Sequence, residues 1–341
     1  MREVFLVTGG SGFIGSEAVR ELILKGFKVY NIDKLTYAAS QEALLNINKD
    51  DYIFFEGDIS KKEDVKNIIE LSKPNYILNF AAESHVDRSI VDPDEFINTN
   101  IYGTYCLLEG SYEYWSNLKD SEKNKFKFVH ISTDEVYGSL NLKDQPFSEA
   151  SQYQPNSPYS ASKASSDMLV RSWNKTYNLP INITHSSNNY GHWQYPEKLI
   201  PLTLNKILNL EPIPVYGDGK NIRDWIYVKD NIDAIINITL NAKSGEVYNI
   251  GGNSEISNID LVNKLCSIMD RKLPKVNGSY SDLITFVSDR PGHDFRYAIN
   301  TKKIKDHLDW EPQTDLSTGL DKTVDWILEN KDWIIKKSKK D

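Results

Sequence analysis

The sequence predicts an α/β protein built on a doubly wound parallel sheet, with a smaller α/β domain in the second half of the chain. Short apolar runs typical of buried strands alternate with helical patterns from Val4 to about residue 187. The segments that follow these runs are rich in glycine or polar residues. Because ligands of such sheets bind beyond the carboxyl ends of the strands, we expect the functional residues in these segments.

The bulk composition is that of an ordinary globular protein of enzyme size. The chain has 341 residues, of which 40% are hydrophobic and 26% charged, which is enough for a large core. A net charge of −8 argues against nucleic acid and anionic membranes as partners. The chain has only two cysteines, Cys106 and Cys266, and neither a signal peptide nor an apolar run that approaches a membrane span. We therefore expect a cytoplasmic protein.

The first segment with chemical meaning is a glycine turn between a strand and a helix. The apolar run Val4–Val7 leads into Gly9, Gly12 and Gly15, and a helix is predicted from Glu17 to Lys25. Glycines let backbone N–H groups approach a pyrophosphate at the helix N-terminus, where the helix dipole favours an anion. The spacing is G-x-x-G-x-x-G, which differs from the commonest dinucleotide motif.

An acidic residue, Asp33, ends the second predicted strand, Lys28–Ile32. A carboxylate at this position can accept a hydrogen bond from the 2′-hydroxyl of an adenosine ribose and would repel a 2′-phosphate. The pattern therefore predicts a Rossmann-type domain that binds NAD in preference to NADP.

Two further strands each lead into a segment that can face a cofactor. Asp58 follows the strand Tyr52–Glu56, and it suits the adenine end of a dinucleotide and the start of the next helix equally well. The segment Ala81–Ser89 follows the strand Tyr76–Phe80, and its small residues let the backbone pack against a cofactor. His85 lies in this segment, and for an isolated loop histidine we expect a structural hydrogen bond.

The segment Ser132–Gly138 follows the strand Lys127–Ile131 and carries two adjacent carboxyl groups, Asp134 and Glu135. Its first residue and Glu135 have the S-x-x-E spacing of a capping box, which is a purely structural alternative. The position at the carboxyl end of a parallel strand favours a chemical role.

Tyr159 and Lys163 lie four residues apart on a predicted helix, so their side chains share a face. Ser157 is a favourable N-cap residue, and Pro158 suits the first helical position. A phenol has a pKa near ~10, so to act as a base near neutral pH it needs roughly 4 kcal/mol of preference for the phenolate. A close ammonium supplies part of this. An amphipathic helix with a surface lysine is the alternative that the spacing alone leaves open.

The second half of the chain is predicted to form a smaller, mainly substrate-binding domain at residues 188–330, after a dinucleotide-binding domain at residues 1–187. A basic C-terminal tail is expected at residues 331–341. The strand Val247–Ile250 is expected to return to the parallel sheet. The other predicted elements are helices near Ile200–Leu210, Ile232–Ala242 and Asn258–Met269, and strands at Ile213–Tyr216 and Trp225–Val228.

Motifs from both halves of the chain occur together, and their order is far more specific than any one of them. These motifs are Thr8–Gly15, Asp33–Tyr37, Ala81–Ser89, Ser132–Gly138, Tyr159–Lys163, Asn188–Gly191, Pro196–Pro201, Ile222–Trp225 and Asp289–Asp294. Together they resemble the extended short-chain dehydrogenase/reductases and, within that group, the dTDP-glucose 4,6-dehydratases. The resemblance covers nearly the whole chain. It implies NAD as a tightly held cofactor, dTDP-glucose as substrate, and a homodimer formed through the Tyr159 helix and the helix around Asn98–Trp115.

The resemblance also implies a reaction, in which dTDP-glucose loses water to give dTDP-4-keto-6-deoxyglucose. Tyr159 would take the C4 hydroxyl proton, Lys163 would lower the pKa of Tyr159 and hold the nicotinamide ribose, and Thr133 would hydrogen-bond the same C4 oxygen. Glu135 would then remove the C5 proton, which the new ketone acidifies. Asp134 would protonate the leaving C6 hydroxyl, and burial beside Glu135 would raise its pKa for this task. Hydride finally returns to C6.

Further site residues are assigned by the same resemblance, and no metal ion is among the groups it implies. Residues expected to bind the cofactor are Gly9, Gly12, Phe13, Ile14, Gly15, Asp33, Lys34, Leu35, Thr36, Asp58, Ile59, Phe80, Ala81, Ala82, Ser84, Thr99, Tyr159, Lys163 and Asn189. Residues expected to bind the substrate are Ser84, Thr133, Asn188, Lys198, Leu199, Pro214, Val215, Tyr216, Arg223, Asn258, Asp289, Arg290 and His293. Among these, Lys198, Arg223 and Arg290 are the candidate cations for a diphosphate.

Two alternatives belong to other functional classes. A nucleotide-sugar 4-epimerase of the same fold needs only the tyrosine, lysine and hydroxyl set, and usually has small or neutral residues in place of Asp134 and Glu135. A non-catalytic protein that senses NAD would not need these carboxyl groups either.

The chain departs from the family pattern at Ala39-Ser40, where Gly-Asn is usual, and at His192–Tyr195. The nucleotide of the substrate is set by loop contacts that the sequence leaves open.

Overall fold

The fold is known from a computed structural model that describes residues 2–338. Its strands are β1 Val4–Thr8, β2 Lys28–Asp33, β3 Tyr52–Glu56, β4 Tyr76–Asn79, β5 Lys127–Thr133, β6 Ile181–Ser186, β7 Asn188–Tyr190, β8 Ile213–Tyr216, β9 Ile222–Tyr227, β10 Val247–Ile250, β11 Glu255–Ser257 and β12 Ile284–Val287. Its α-helices are α1 Phe13–Leu24, α2 Lys62–Ser72, α3 Val86–Val91, α4 Asp94–Phe96, α5 Thr104–Ser116, α6 Asp120–Lys123, α7 Pro158–Tyr177, α8 Leu199–Leu208, α9 Val228–Asn241, α10 Asn258–Lys272, α11 Lys302–Leu308, α12 Leu316–Glu329 and α13 Lys331–Ser338.

The centre of the fold is a seven-stranded parallel sheet with the order β10-β6-β5-β4-β1-β2-β3. Helices cover both faces, and the fully buried side chains of Phe5 and Val7 belong to one core while that of Leu6 belongs to the other. This alternation follows from the pleat, which points successive side chains of a strand to opposite faces. The predicted doubly wound fold class is confirmed.

The strand Val247–Ile250 returns to the sheet as predicted and pairs in parallel with β6, so that Ile250 lies opposite Ser186. It comes from far along the chain, yet it extends the sheet at the edge next to β6. The second half of the chain is therefore tied to the first through backbone hydrogen bonds as well as through side-chain packing.

The remaining strands form two small sheets beside a separate hydrophobic core. One sheet has the order β11-β9-β7 and the other pairs β12 with β8. The core beneath them is built from α8, α10 and α12, with Leu204, Leu261 and Leu320 fully buried. These small sheets carry the loops that face the carboxyl ends of the large sheet.

The segment expected to be a basic tail is structured over the residues that the model describes. Lys331–Ser338 form α13, and Ile334 of this helix is fully buried in the second core. The lysines dominate the composition of this segment, but an apolar side chain anchors it. The last residues of the expected tail, 339–341, lie outside the described part of the chain.

Between residues 2 and 338, no helix is both long and apolar enough to cross a membrane. Within the same range, no group of three or more His, Cys, Asp or Glu side chains is arranged to hold a metal ion.

Candidate active site

A cavity of about 480 Å³ opens at the carboxyl ends of the central strands and is closed from the other side by loops of the second core. It is lined by all five predicted catalytic residues and by nearly all predicted binding residues. Only Leu35 and Asp289, of the predicted site residues, do not line it. The sequence therefore identified the residues that this cavity brings together, although they come from both halves of the chain.

The glycine turn lies against the segment that follows β4. Gly9 has a φ of 68°, and a Cβ added there would lie 2.8 Å from the Cα of Ala81. Gly15 packs so closely that its Cβ would lie 2.2 Å from the carbonyl oxygen of Gly9. Gly12 caps the N-terminus of α1 and lines the cavity. Larger side chains would close this approach to the first turn of the helix.

Asp33 is held at the cavity wall by two backbone N–H groups. Its Oδ2 accepts from Ser11 at 2.9 Å and its Oδ1 accepts from Leu35 at 2.8 Å. Burial raises the pKa of Asp33, and the two hydrogen bonds act against this. Leu35 thus supports the carboxylate through its backbone N–H group. It does not line the cavity, so its contact with the cofactor stays a prediction.

Asp58 and Lys34 also have partners within the protein. Asp58 accepts from both the backbone N–H and the hydroxyl of Ser60, and α2 begins only at Lys62, so the helix-capping alternative does not hold. Lys34 donates from Nζ to Thr99 Oγ1 at 3.0 Å. Lys34, Asp58 and Thr99 all line the cavity.

Tyr159 and Lys163 lie on α7, which starts as the sequence predicts. Ser157 accepts from the backbone N–H of Ser160, and Pro158 is the first helical residue. The Lys163 side chain is buried, and its Nζ donates to the carbonyl oxygen of Ile131 at 2.8 Å. Its ammonium is therefore directed to the end of β5.

The pKa of Tyr159 differs from the expectation. Burial raises it strongly, the charge of Glu135 raises it further, and a hydrogen bond with Thr133 lowers it. Burial also lowers the pKa of Lys163 to about 8. The polypeptide by itself therefore does not lower the pKa of the phenol, because the carboxylates oppose its ionisation and Lys163 bonds to a backbone oxygen.

Asp134 and Glu135 begin a short 3-10 helix that ends at Tyr137. The N-cap is Thr133, whose hydroxyl accepts from the backbone N–H of Glu135 at 3.3 Å. Ser132 instead donates to Asp167 Oδ2 at 3.0 Å, so the capping box that the S-x-x-E spacing allowed is not formed. The two carboxyl groups are placed by the strand end and by Thr133.

The two adjacent carboxyl groups differ in their surroundings. Asp134 is 2% exposed, and its Oδ2 has no hydrogen-bond partner among residues 2–338. Burial and then the charge of Glu135 raise the pKa of Asp134 well above its usual range. Burial also raises the pKa of Glu135, but Arg290, Arg223 and Lys198 lower it. The pair thus combines a carboxyl that favours its proton with one that faces cations.

The cations are held by neighbouring backbone and side-chain groups. Arg223 donates to the carbonyl oxygen of Asp294 at 2.9 Å and lies over the ring of Tyr297 at 4.2 Å. Lys198 donates to the carbonyl oxygen of Ser84 at 2.8 Å, and Arg290 lies 3.2 Å from Asp87. These contacts fix the positive groups on the side of the cavity that faces the second core.

Asp289, which was predicted to bind substrate, does not line the cavity, so this role stays a prediction. Its Oδ1 lies 2.6 Å from Nδ1 of His293, and it also accepts from the backbone N–H of Arg290. Its carboxylate is used by these two neighbours, both of which line the cavity. Asp289 therefore contributes to the site by orienting the residues that were predicted with it.

Some cavity residues were not predicted as site residues. His85 accepts from the backbone N–H of Arg88 at 3.4 Å, so it makes the structural hydrogen bond that was expected, yet its ring also faces the cavity. Burial lowers the pKa of His85 to about 4. Glu197 lies 3.5 Å from His85, and the Pro196–Pro201 motif could have indicated it. Tyr297 had no signal of this kind.

The cavity wall contains buried polar atoms that the described residues leave without a hydrogen-bond partner. These atoms include Asp134 Oδ2, Asn189 Oδ1, Asn258 Oδ1 and Arg290 Nε. Buried polar atoms are normally paired, so unpaired ones around a cavity indicate a polar ligand. Together with the glycine turn and Asp33, they fit a dinucleotide on one side and a polar, anionic second ligand on the other.

Comparisons with known proteins agree with this arrangement. A family model described as GDP-mannose 4,6 dehydratase matches residues 6–323. The dTDP-glucose 4,6-dehydratase of Xanthomonas campestris pv. campestris (strain B100) is 49% identical over 332 residues, which are 97% of this chain and 94% of the relative.

Solved structures are similar over the same length. A dTDP-glucose 4,6-dehydratase from Bacillus anthracis str. Ames in complex with NAD has a TM-score of 0.86 and 40% identity, covering 98% of this chain and 99% of the other. The enzyme of that name from Streptomyces venezuelae, with NAD and TYD bound, has a TM-score of 0.88 and 38% identity, covering 98% and 99%. By sequence, fold and site, this chain belongs to the family of the dTDP-glucose 4,6-dehydratases.

Proposed function

We propose that this protein is an NAD-dependent dTDP-glucose 4,6-dehydratase, a lyase that forms dTDP-4-keto-6-deoxyglucose. The observation that carries the proposal is the pair Asp134 and Glu135, which lines one cavity together with Tyr159, Thr133 and the glycine turn. Residues that support hydride transfer alone are used in several different reactions on sugars. The adjacent acid and base add what elimination of water requires.

NAD⁺ is proposed to bind along the glycine turn, with its pyrophosphate at the N-terminus of α1 and a ribose at Asp33. It supplies a hydride acceptor and, on its nicotinamide ring, a positive charge. Lys163 carries a second positive charge near the end of β5. These charges oppose the burial and the negative charge of Glu135, which raise the pKa of Tyr159, so phenolate formation depends on them.

The first step uses Tyr159 and Thr133. Tyr159 in its phenolate form would remove the proton of the C4 hydroxyl as the C4–H bond breaks, and NAD⁺ held at the glycine turn would supply the acceptor for the hydride. Thr133, which hydrogen-bonds Tyr159, keeps the C4 oxygen aligned with the phenol. The sugar would then be a C4 ketone.

The second step uses the two carboxyl groups. The C4 ketone acidifies the C5–H bond, so Glu135 as a carboxylate can remove this proton. Asp134 gives its proton to the C6 hydroxyl, which leaves as water as the C5–C6 double bond forms. Hydride then returns to C6, and a proton returns to C5, so no external electron acceptor is consumed. The raised pKa of Asp134 and the cations around Glu135 suit these opposite roles.

Substrate binding is proposed to rest on the cations and on a less polar wall. Lys198, Arg223 and Arg290 suit the diphosphate, since each can give charge-assisted hydrogen bonds to phosphate oxygens. Residues of α8, β8 and α10 suit the nucleoside end. These are Leu199, Pro214, Val215, Tyr216 and Asn258.

The runner-up is a nucleotide-sugar 4-epimerase, which would leave Asp134 and Glu135 without a task. Incubation with dTDP-glucose separates the two, because a 4-keto sugar develops a characteristic absorbance in alkali. We expect this absorbance to appear without net formation of NADH. If dTDP-galactose forms and no 4-keto sugar is detected, the dehydratase proposal fails. If NAD binds but neither sugar forms, a non-catalytic NAD-sensing role gains support.

A homodimer is proposed as the assembled state. The helical segment Ile97–Gly103, continued by α5, packs on α7. Ile97 and Tyr102 on the first, and Met168 and Tyr177 on the second, are exposed apolar or aromatic side chains. Such a surface suits a second copy of the chain. Sedimentation of the protein should give a dimer, and Tyr102→Asp with Met168→Asp should give monomers; a monomeric unsubstituted protein would contradict this.

The setting is proposed to be the cytoplasm, without nucleic acid or membrane partners. Cys106 and Cys266 are both buried free thiols, which suit a reducing compartment. The net charge of −8 disfavours polyanions. Fractionation of cells that produce the protein tests the location.

A further inference from the structure

The last described helix lies against two loops that line the dinucleotide side of the cavity. The first loop is residues 36–40, which follows Asp33, and its Ser40 N–H donates to the carbonyl oxygen of Ser11 in the glycine turn at 2.7 Å. The second is residues 192–195. Thr36, Ala38 and Ala39 of the first loop and Gln194 and Tyr195 of the second line the cavity. Both loops contain the positions at which the chain departs from the family pattern.

Lys337 of α13 contacts both loops. Its Nζ donates to the carbonyl oxygen of Ala39 at 2.8 Å, and its own carbonyl oxygen accepts from the hydroxyl of Tyr195 at 3.3 Å. The residue is only 8% exposed, which is unusual for a lysine. One buried residue near the end of the described chain thus bridges two walls of the cavity.

Aromatic contacts add to this bridge. Trp333 donates from Nε1 to the hydroxyl oxygen of Ser40 at 3.1 Å, and its ring meets that of Trp193 edge to face at 5.3 Å. The rings of Tyr37 and Tyr195 also meet edge to face, at 5.3 Å. The two loops therefore touch each other directly and are held together from behind by α13.

We propose that α13 is a strap that slows the release of the dinucleotide, with Lys337 as its positioning residue. This inference rests on the proposed NAD site. It adds a residue outside the cavity that influences how fast the dinucleotide is released. A dinucleotide bound along the glycine turn would lie next to these loops, and we expect the loops to separate when it leaves. Separation breaks the bonds of Lys337 to Ala39 and Tyr195 and the bond of Trp333 to Ser40.

The test compares Lys337→Met with Lys336→Met, since Lys336 is exposed on the same turn. The full-length protein is loaded with NADH, excess NAD⁺ is added, and loss of bound-NADH fluorescence gives the dissociation rate. We expect Lys337→Met to release NADH about 10-fold faster, as loss of a charged hydrogen bond implies. Lys336→Met should stay within about twofold of the unsubstituted protein, and Lys337→Arg should recover most of the retention.

Ser40→Ala and Trp333→Phe give a second, milder test, because each removes the hydrogen bond between Trp333 and Ser40, and Ser40→Ala also removes the bond that Ser40 donates to Glu42. Each should speed release, and the double variant should be no faster than Ser40→Ala alone. A purely structural role would lower the melting temperature of the cofactor-free protein and leave the release rate unchanged. Release from Lys337→Met at the unsubstituted rate would overturn the strap while the proposed function stood. Failure of the unsubstituted protein to bind NADH would overturn both.

Discussion

Asp134 and Glu135 are neighbours in sequence and line one cavity, but the charges around them differ. Burial raises the pKa of Asp134 well above its usual range, and the negative charges of Glu135 and Asp224 raise it further, against the effect of Arg223. Glu135 faces Arg290, Arg223 and Lys198, which lower its pKa against the effect of burial. An acid and a base at adjacent positions are therefore distinguished by their environment alone. Elimination of water from a sugar needs both.

The first prediction concerns the separation of oxidation from elimination. Asp134→Asn with Glu135→Gln should still reduce bound NAD⁺ when dTDP-glucose is added, because the Tyr159 set is untouched. Elimination should fall by at least about 100-fold, since proton transfer by a positioned group contributes this much or more. Single-turnover nicotinamide absorbance reports the first step, and alkali-induced absorbance reports the product.

The control for this double variant is Asp120→Asn, which changes an exposed carboxyl on α6. It should keep full turnover. Full turnover by the double variant itself would remove the roles assigned to Asp134 and Glu135.

The second prediction concerns the hydroxyl groups near C4. Tyr159→Phe removes the proposed proton acceptor, so NADH formation on dTDP-glucose should fall by about 100-fold or more. Thr133→Val removes the hydrogen bond to Tyr159 and the cap of Glu135, whereas Thr133→Ser keeps a hydroxyl. Stopped-flow absorbance should therefore rank the serine variant well above the valine variant. Equal rates for these two variants would exclude a role for the hydroxyl.

The third prediction concerns pH and the stability of the fold. Lys163 in the folded chain has a pKa of about 8, below its ordinary 10.5. Between these values the unfolded chain binds more protons, so the free energy of unfolding contributed by this residue rises with pH. Relative to Lys163→Met, the unsubstituted protein should gain about 3 kcal/mol between pH 8 and pH 10.5.

Urea unfolding of the two proteins at several pH values measures this difference. Lys49→Met, at an exposed position, is the control and should run parallel to the unsubstituted protein. A difference between the Lys163→Met and unsubstituted curves that stays constant with pH would show that burial does not perturb Lys163.

The fourth prediction concerns the choice between NAD and NADP. Asp33→Asn keeps an acceptor for one backbone N–H but removes the negative charge. NAD⁺ should bind about 10-fold more weakly. The affinity for NADP⁺ should fall by less or should rise, because its 2′-phosphate no longer meets a carboxylate. Calorimetric titration of both dinucleotides measures the ratio. Glu56→Gln changes an exposed acid at the end of β3 and should leave the ratio of the two affinities unchanged. An unchanged ratio in Asp33→Asn would contradict the assignment of Asp33 to the ribose.

Elements with strong local patterns could be predicted from the sequence. The apolar runs identified β1 to β6 and the return strand β10, and Ser157-Pro158 identified the start of α7. The strands β7, β11 and β12 have three or four residues each, and their pairing depends on distant partners such as Ile256 with Arg223. No local pattern contains that information.

The candidate site, like the fold, could be predicted from the sequence only in part. Motifs indicated which residues meet, but they could not show where each polar atom points. Lys163 bonds to the Ile131 carbonyl, and Leu35 and Asp289 support their neighbours without lining the cavity. The lysine-rich end of the chain was predicted to be a basic tail, because lysines dominate it and few side chains, Trp333 and Ile334 among them, hold it against the rest of the protein. Tertiary contacts decide all of these features.

The most direct measurement follows one hydrogen atom through the reaction. dTDP-glucose deuterated at C4 is converted by the protein, and the product is examined by nuclear magnetic resonance. We expect a 4-keto-6-deoxy sugar that carries the deuterium on C6, because hydride leaves C4 and returns to C6 within one active site. A 4-keto product without deuterium at C6, or dTDP-galactose that has kept it at C4, would contradict the proposed dehydratase.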